Sequence, residues 1–313
     1  MEFNRLGSSG LHVSAVGLGC NNFGMRIDKE QTAVVVNKAI DLGINFFDTA
    51  DMYGGTQSET FLGAALGERR KDVVVATKFV GPVGQGPLNR GASRRHMFDA
   101  VEASLSRLNT DYIDLYQIHF PDETTPIEET LRALDDLVRQ GKVRYIGCSN
   151  FSGWQVVEAQ WITRTEHFSP LISAQNEYNL LDRRIERELV PACNAYGVGI
   201  LPYFPLASGF LTGKYKHGEA PPEGTRIAAW GARGEQILTD RNFEILQGLE
   251  EFAKEREKTV LELAIGWLAS QPHVPSVIAG ATKPEQVEQN VAAAGWKLSG
   301  EEMTAVDTIT RGK

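Results

Sequence analysis

"VVVATKFVGPVGQG", residues 73–86, decides the fold. Its first residues are apolar without a break rather than alternating, the pattern of a parallel strand covered on both faces. The glycines that follow exclude the main competitor. A doubly wound nucleotide-binding sheet places a GxGxxG turn after its first strand. Neither "GPVGQG" (81–86) nor "GLGCNNFG" (17–24) keeps that order.

Similar short apolar runs lie on either side, at residues 16–19, 44–47, 113–118, 143–148, 172–175, 199–203 and 276–278, with 73–77 between them. Helical patterns separate them. "KEQTAVVVNKAIDLG" (29–43) ends on a glycine suited to a helix C-terminus. "SRRHMFDAVEASLSRLN" (93–109) opens on Ser93, a plausible N-cap. "TPIEETLRALDDLVRQGK" (125–142) has Pro126 near its start and Gly141 at its end. "EFNRLGSSGLHVS" (2–14) reads as a β-hairpin around a glycine-rich turn. Eight strands, each followed by a helix and with no compositional break, predict one α/β domain over 1–313, a (β/α)8 TIM barrel with an N-terminal β-hairpin. Residues 207–240 form a long Gly- and Pro-rich connection after the seventh strand. Residues 241–257 and 259–271 then supply two helices where the repeat needs one, so extra helices are expected near the C-terminus.

The totals narrow the function. The 313 residues are 42% hydrophobic and 23% charged, with a net charge of −8 and no basic tract, so nucleic acid and anionic membranes are poor partners. Three scattered cysteines form no CxxC pair, which implies a reducing compartment. No stretch approaches the roughly 18 apolar residues of a membrane span, and cytoplasm is the expected location.

In a barrel the C-terminal strand ends converge on one face and carry catalysis. Asp48 closes the second strand with Tyr53 just beyond, Lys78 closes the third, and His119 closes the fourth. Each alone is readily structural; together they suggest proton transfer. A free phenol has a pKa near ~10. A lysine ammonium within ~4–6 Å would lower it by roughly 1–3 units. Asp48 would keep that lysine charged, and His119 would hydrogen-bond the reacting oxygen. No side chain delivers hydride, so a cofactor is required. Ser149, Asn150 and Gln175, at the ends of strands five and six, offer the donors and acceptors of a carboxamide bed. Tyr203 offers a face for a nicotinamide ring. Lys214 and Arg226 are cations beside "PLASGFLTGKY" (205–215), and "AGATKPEQVEQN" (279–290) opens a helix whose N-terminus favours anions.

With "FFDTADMYG" (46–54), "VVVATK", "YIDLYQIH" (112–119), "VRYIGCSNF" (143–151), "ISAQNEYN" (172–179), "PYFPLASGFLTGKY" (202–215) and "GATKPEQVEQN" (280–290), the chain resembles the aldo-keto reductase superfamily over essentially its full length. The pattern is closer to the bacterial and potassium-channel β-subunit branch than to the aldose reductase branch. The resemblance implies NAD(P)(H)-dependent interconversion of a small carbonyl compound and its alcohol. Tyr53 would be the acid/base, Asp48 and Lys78 would tune it, and His119 would orient the carbonyl. Ser149, Asn150 and Gln175 match carboxamide positions, and Tyr203 the ring-stacking position. Phe204, Pro205, Leu206, Ser208, Gly209, Lys214 and Arg226 match the pyrophosphate clamp. Thr282, Gln286, Gln289 and Asn290, with Gly280 beside them, match the adenosine end, and Gly19 and Cys20 complete the cofactor bed. Many members carry Arg where this chain has Gln286, but Lys283 stands ready for a 2′-phosphate, so the reading favours NADP(H) over NAD(H). Asn21, Asn22, Phe23 and Met25, the "PDETTP" loop (121–126) and Trp230 are the expected substrate walls, together with Tyr53 and His119.

Three other readings compete. A Schiff-base aldolase would use Lys78 as nucleophile, but such a lysine must be neutral. A regulatory module like the channel β subunits would hold the cofactor with little turnover. A metal-dependent hydrolase lacks a ligand set, since of six histidines only His119 ends a strand. No metal is expected, and oligomeric state is not legible.

Overall fold

The first two strands, β1 (Phe3–Arg5) and β2 (His12–Ser14), pair antiparallel, Phe3 opposite Ser14. This is the hairpin read from the sequence. The computed structural model describes residues 1–311, so the last two residues of the 1–313 span lie outside it. Eight parallel strands follow: β3 (Val16–Gly19), β4 (Phe46–Asp48), β5 (Val74–Phe79), β6 (Ile113–Ile118), β7 (Val143–Ser149), β8 (Leu171–Glu177), β9 (Gly199–Tyr203) and β10 (Val277–Gly280). Their order, β10-β3-β4-β5-β6-β7-β8-β9, wraps the sheet into a nearly closed (β/α)8 barrel.

The hairpin plugs the end of the barrel where the strands begin. Leu6 and Val13 pack with Phe46, Ala76, Leu115, Ile172, Leu201 and Ile278 inside the barrel. Ser8 N donates to Gly197 O at 2.7 Å and Asn4 Nδ2 to Pro275 O at 2.9 Å, both just upstream of strands. That end is closed, which leaves the C-terminal end for a site.

Outside the sheet lie α1 (Lys29–Asp41), α2 (Gln57–Leu66), α3 (Arg94–Leu108), α4 (Ile127–Arg139), α5 (Gly153–Thr165) and α6 (Leu189–Tyr196). Ser93 Oγ accepts from His96 N at 3.4 Å, so the expected cap is present. In α4, Leu131, Leu134 and Leu137 face the core, and Glu128 and Glu129 sit in the first turn, where the helix dipole favours them. Pro126 is the N-cap here, one residue later than the Thr125 start suggests.

The 207–240 connection is more ordered than its composition predicts. It holds a tight turn at Ala207–Thr212 and two short helices, α7 (Arg226–Ala229) and α8 (Ala232–Glu235). Then α9 (Asp240–Lys254) and α10 (Val260–Ala269) precede β10, and α11 (Pro284–Ala293) and α12 (Gly300–Arg311) follow it. These added helices close over a second apolar cluster built on Trp267, Leu249, Phe210 and Val306.

The strands run farther toward the site than the apolar runs suggest. Asp48, Lys78, Ser149 and Gly280, each just past its apolar run, are ladder-paired strand residues, and β8 continues past Gln175 to Glu177. The reason is that a parallel ladder continues through polar residues wherever neighbours supply backbone partners. Functional groups on such residues are held by the sheet itself.

Candidate active site

Three consecutive strand ends bring the four polar residues into contact. Lys78 is fully buried, and its Nζ donates to Asp48 Oδ2 at 2.7 Å and to Thr49 O at 2.8 Å. The same ammonium stands 5.1 Å from the centre of the Tyr53 ring. The His119 ring meets Tyr53 edge-on at 5.7 Å and stacks on Phe120 at 4.2 Å. The geometry therefore unites the four residues read from the strand ends.

Asp48 is the hub. Its Oδ1 accepts from Gln175 Nε2 at 2.7 Å and from Gln117 Nε2 at 3.2 Å, while Oδ2 takes Lys78. Gln117 lies on β6, fully buried, and sequence reasoning missed it. The available signal was one amide in the inward run "YIDLYQIH", where an apolar residue would pack more cheaply. Gln117→Leu is expected to lower stability by about 1.5–3 kcal/mol, since it removes a hydrogen bond to a charged group in the interior. Urea unfolding of the two proteins measures it.

Burial sets the protonation states. It opposes charge on Lys78, but Asp48 and then Tyr53 overcome it and hold the ammonium above its ordinary pKa. Burial raises the Tyr53 phenol, Lys78 pulls it down and Asp48 pushes it back, with a net result above the ordinary value. This corrects the expectation that the lysine would leave the phenol lowered. Desolvation of the phenolate outweighs the attraction here. His119 is pressed down to about 3 by burial first and by the Lys78 charge second, so it is a neutral imidazole, and its Nδ1 has no partner among the described residues.

A second buried group lies behind the tetrad. Glu59 accepts from Thr77 Oγ1 at 2.5 Å and Arg107 Nε at 2.7 Å. Asp51, two residues before Tyr53, is raised to about 7 by burial and then by Glu59, and both its oxygens lack partners among the described residues.

A cavity of about 1260 Å³ opens above the tetrad, larger than the roughly 300–1,000 Å³ of ordinary small-molecule pockets. Gly19, Cys20, Asn21, Asp48, Tyr53 and His119 form its floor at one end. Ser149, Asn150, Gln175, Tyr203, Phe204, Pro205, Leu206, Ser208, Gly209, Lys214 and Arg226 continue the wall, and Gly280, Thr282, Lys283, Gln286, Gln289 and Asn290 form the far end. Asn150, Phe204 and Ser208 adopt left-handed backbone with φ of 60°, 53° and 59°, a strain that clusters along this wall. Gly209, at φ 94°, leaves room beside Lys214, whose Nζ would lie 3.2 Å from any Cβ there.

Several groups expected to be free are already engaged. Asn150 Nδ2 donates to His119 O at 2.9 Å, and Asn150 Oδ1 accepts from Tyr203 OH at 2.8 Å. Ser149 Oγ donates to Gln175 O at 2.9 Å. Gln286 Oε1 accepts from Thr282 N at 2.8 Å and so closes the first turn of α11. The bed is thus fixed by internal bonds, and Gln175 Oε1 keeps acceptor capacity.

Four substrate-wall expectations fail. Phe23 is fully buried beneath its loop, because an apolar side chain beside the barrel packs inward, and it cannot touch a substrate. Met25 is 63% exposed and lies off the cavity. In "PDETTP", Asp122 binds Ala92 N, Thr124 and Thr125, so that loop caps itself, and Phe120 takes its place on the wall. Trp230 packs edge-on to Phe204 at 5.7 Å rather than on the cavity wall. Arg26, Gln31 and Thr225 line the cavity without having been singled out.

Among the described residues no helix is long and apolar enough to cross a membrane, and no cluster of three His, Cys, Asp or Glu side chains could hold a metal. The chain is 40% identical to a probable voltage-gated potassium channel subunit beta of Oryza sativa subsp. japonica, over 94% of this chain and 91% of the relative. It is 37% identical to an uncharacterized oxidoreductase of Bacillus subtilis (strain 168), over 100% and 97%, and 36% identical to an L-glyceraldehyde 3-phosphate reductase of Escherichia coli O157:H7, over 98% and 92%. A family model of the aldo/keto reductases matches residues 15–311, and the chain belongs to the aldo/keto reductase family.

Proposed function

We propose that this chain is an oxidoreductase that reversibly converts an aldehyde or ketone to an alcohol, with NADP(H) preferred to NAD(H). The observation that carries the reading is the Asp48–Lys78–Tyr53–His119 constellation beside a cavity of about 1260 Å³, a volume that admits a dinucleotide and a small substrate together. The proposal takes residues 1–313 as one unit and its place as the cytoplasm.

When bound, a reduced nicotinamide supplies the hydride. The chain's own groups do the rest. Ser149, Asn150 and Gln175 would hold the carboxamide, with Tyr203 against the ring. Lys214, Arg226, Ser208 and Gly209 would hold the pyrophosphate, and Lys283, Gln286, Gln289 and Asn290 the adenosine end. Neutral His119 donates a hydrogen bond that orients the substrate carbonyl. Tyr53 gives its proton to that oxygen as negative charge develops. Lys78 stabilises the phenolate left behind, and Asp48 keeps Lys78 charged. In the reverse direction the Tyr53 phenolate accepts the alcohol's proton.

The exposed Lys283 has no ion-pair partner among the described residues. Lys283→Ala is expected to weaken NADPH about three- to tenfold while NADH changes little, the size of one charge-assisted contact to a 2′-phosphate. Fluorescence titration with both cofactors measures it, and equal weakening removes that assignment. The same titration, followed by a panel of aldehydes and ketones, tests the function as a whole.

The relationship to channel β subunits supports a second reading, in which the cofactor is held for regulation with little turnover. Sustained reduction of simple aldehydes argues against it. The aldolase reading is disfavoured by the charge on Lys78 and by its full burial, which keep the amine from a substrate carbonyl.

A further inference from the structure

Around the Tyr53 turn, three buried carboxyl groups share two cations among the described residues. Asp48 takes Lys78, and Glu59 takes Arg107, whose Nε donates to it at 2.7 Å. Thr77 Oγ1 gives Glu59 a further hydrogen bond at 2.5 Å, and Arg107 Nη2 also donates to Ser104 Oγ at 3.2 Å. Lys78 gives its other bond to Thr49 O. Asp51 is the carboxyl left over. It is 1% exposed, and neither oxygen has a hydrogen-bond partner among the described residues. Met52 N lies beside it without hydrogen-bond geometry.

The ionisable groups that act on Asp51 come from four elements: Glu59 of α2, Arg107 of α3, Lys78 of β5 and Tyr116 of β6. Tyr116 is fully buried, and its hydroxyl also lacks a partner among the described residues. In such a setting an isolated carboxylate costs far more than the neutral acid, so the group keeps its proton. Burial and then Glu59 lift Asp51 to about 7, against the weaker pull of Arg107 and Lys78. The backbone ties this residue to the chemistry. Asp51 N donates to Lys78 O at 3.1 Å, Lys78 Nζ donates to Thr49 O at 2.8 Å, and Tyr53 N donates to Ala50 O at 3.2 Å. A charge on Asp51 would therefore arise on the same short turn as the phenol. On the mechanism above, Lys78 stabilises the phenolate that forms as reduction proceeds. A second anion draws on the same ammonium and opposes that phenolate.

We infer that Asp51 is a positioning residue kept as a neutral carboxylic acid, and that loss of its proton slows reduction by competing with the Tyr53 phenolate for Lys78. The kinetic half rests on the reductase reading, but the proton can be read without turnover. In the folded protein Asp51 holds a proton that the unfolded chain releases above about pH 4. Raising the pH therefore weakens the fold until Asp51 ionises in place near pH 7. Asp51→Asn keeps the shape and cannot ionise. Relative to it, the parent's folding constant should fall about tenfold per pH unit between about pH 4 and pH 7 and level off above that. Urea unfolding of both proteins across this range measures the difference, and Asp51→Ser replaces the Asn variant if that one does not fold. In kinetics with saturating NADPH, the parent's kcat for aldehyde reduction should drop about tenfold around pH 7, the size of one added charge acting through the protein interior. The uncharged variant should show no such step. Parallel stability curves for parent and variant would mean that Asp51 is ionised in the fold and would overturn the inference. A parent rate without a step near pH 7, or an equal step in the variant, overturns it too. Stability curves that diverge as expected, with no aldehyde reduced by either protein, would sink the reductase reading and uphold the buried acid.

Discussion

Tyr53→Phe is expected to lower kcat for aldehyde reduction by about 10²–10⁴-fold, the contribution of one positioned acid. NADPH affinity should stay within about twofold, because the lost hydroxyl acts on the developing charge and not on cofactor binding. Phe preserves the ring that meets His119 and lies against Lys78, so the packing survives. The pH profile adds a second readout. The donor must carry its proton, and burial holds the Tyr53 phenol above its ordinary pKa. Activity in the reducing direction should therefore fall only on the alkaline side. His119, pressed down to about 3, adds no step near neutral pH. A mutant that reduces aldehydes as fast as the parent would remove Tyr53 from the donor role.

Lys78→Met has the largest expected effect on stability. It strips the ion pair from a buried carboxylate and leaves Asp48 with two amide donors. Breaking a buried pair by removing one partner costs about 3–5 kcal/mol. Reduction should be lost as well, since nothing then stabilises the Tyr53 phenolate. Asp48→Asn combined with Lys78→Met separates the causes. The double variant should regain much of the stability, because a neutral pair leaves no stranded charge, but it should not regain activity. Urea unfolding of the two singles and the double gives the coupling. Additive losses would mean that the charges do not depend on each other.

The positions that the sequence made legible are those fixed by the ladder. Asp48, Lys78, His119 and Gln175 each follow an apolar run, and a parallel barrel sends all such ends to one face. Tyr53 was legible because of its spacing from Asp48, which the turn closed by Tyr53 N donating to Ala50 O at 3.2 Å converts into proximity. What failed needed knowledge of direction. Phe23 and Asn21 are neighbours in one loop, yet only Asn21 lines the cavity, and no periodicity in so short a loop tells the two faces apart. Arg26 reads in sequence as part of an ordinary charged stretch before α1. Its reach to Gly224, 198 residues away, belongs to the fold alone. The raised Tyr53 phenol follows from the depth of burial, a quantity that residue identity does not carry.

The central claim is that Tyr53 protonates a carbonyl oxygen while the neighbouring carbon takes hydride from a bound nicotinamide. Reduction of simple aldehydes with NADPH deuterated at C4, followed by mass spectrometry of the alcohol, tests it most directly. The account predicts one deuterium on the carbinol carbon from one of the two C4 faces, and its near disappearance with Tyr53→Phe under NADPH saturation. An NADPH-saturated protein that yields no labelled alcohol, or a Phe variant that labels it at the parent rate, would contradict the account.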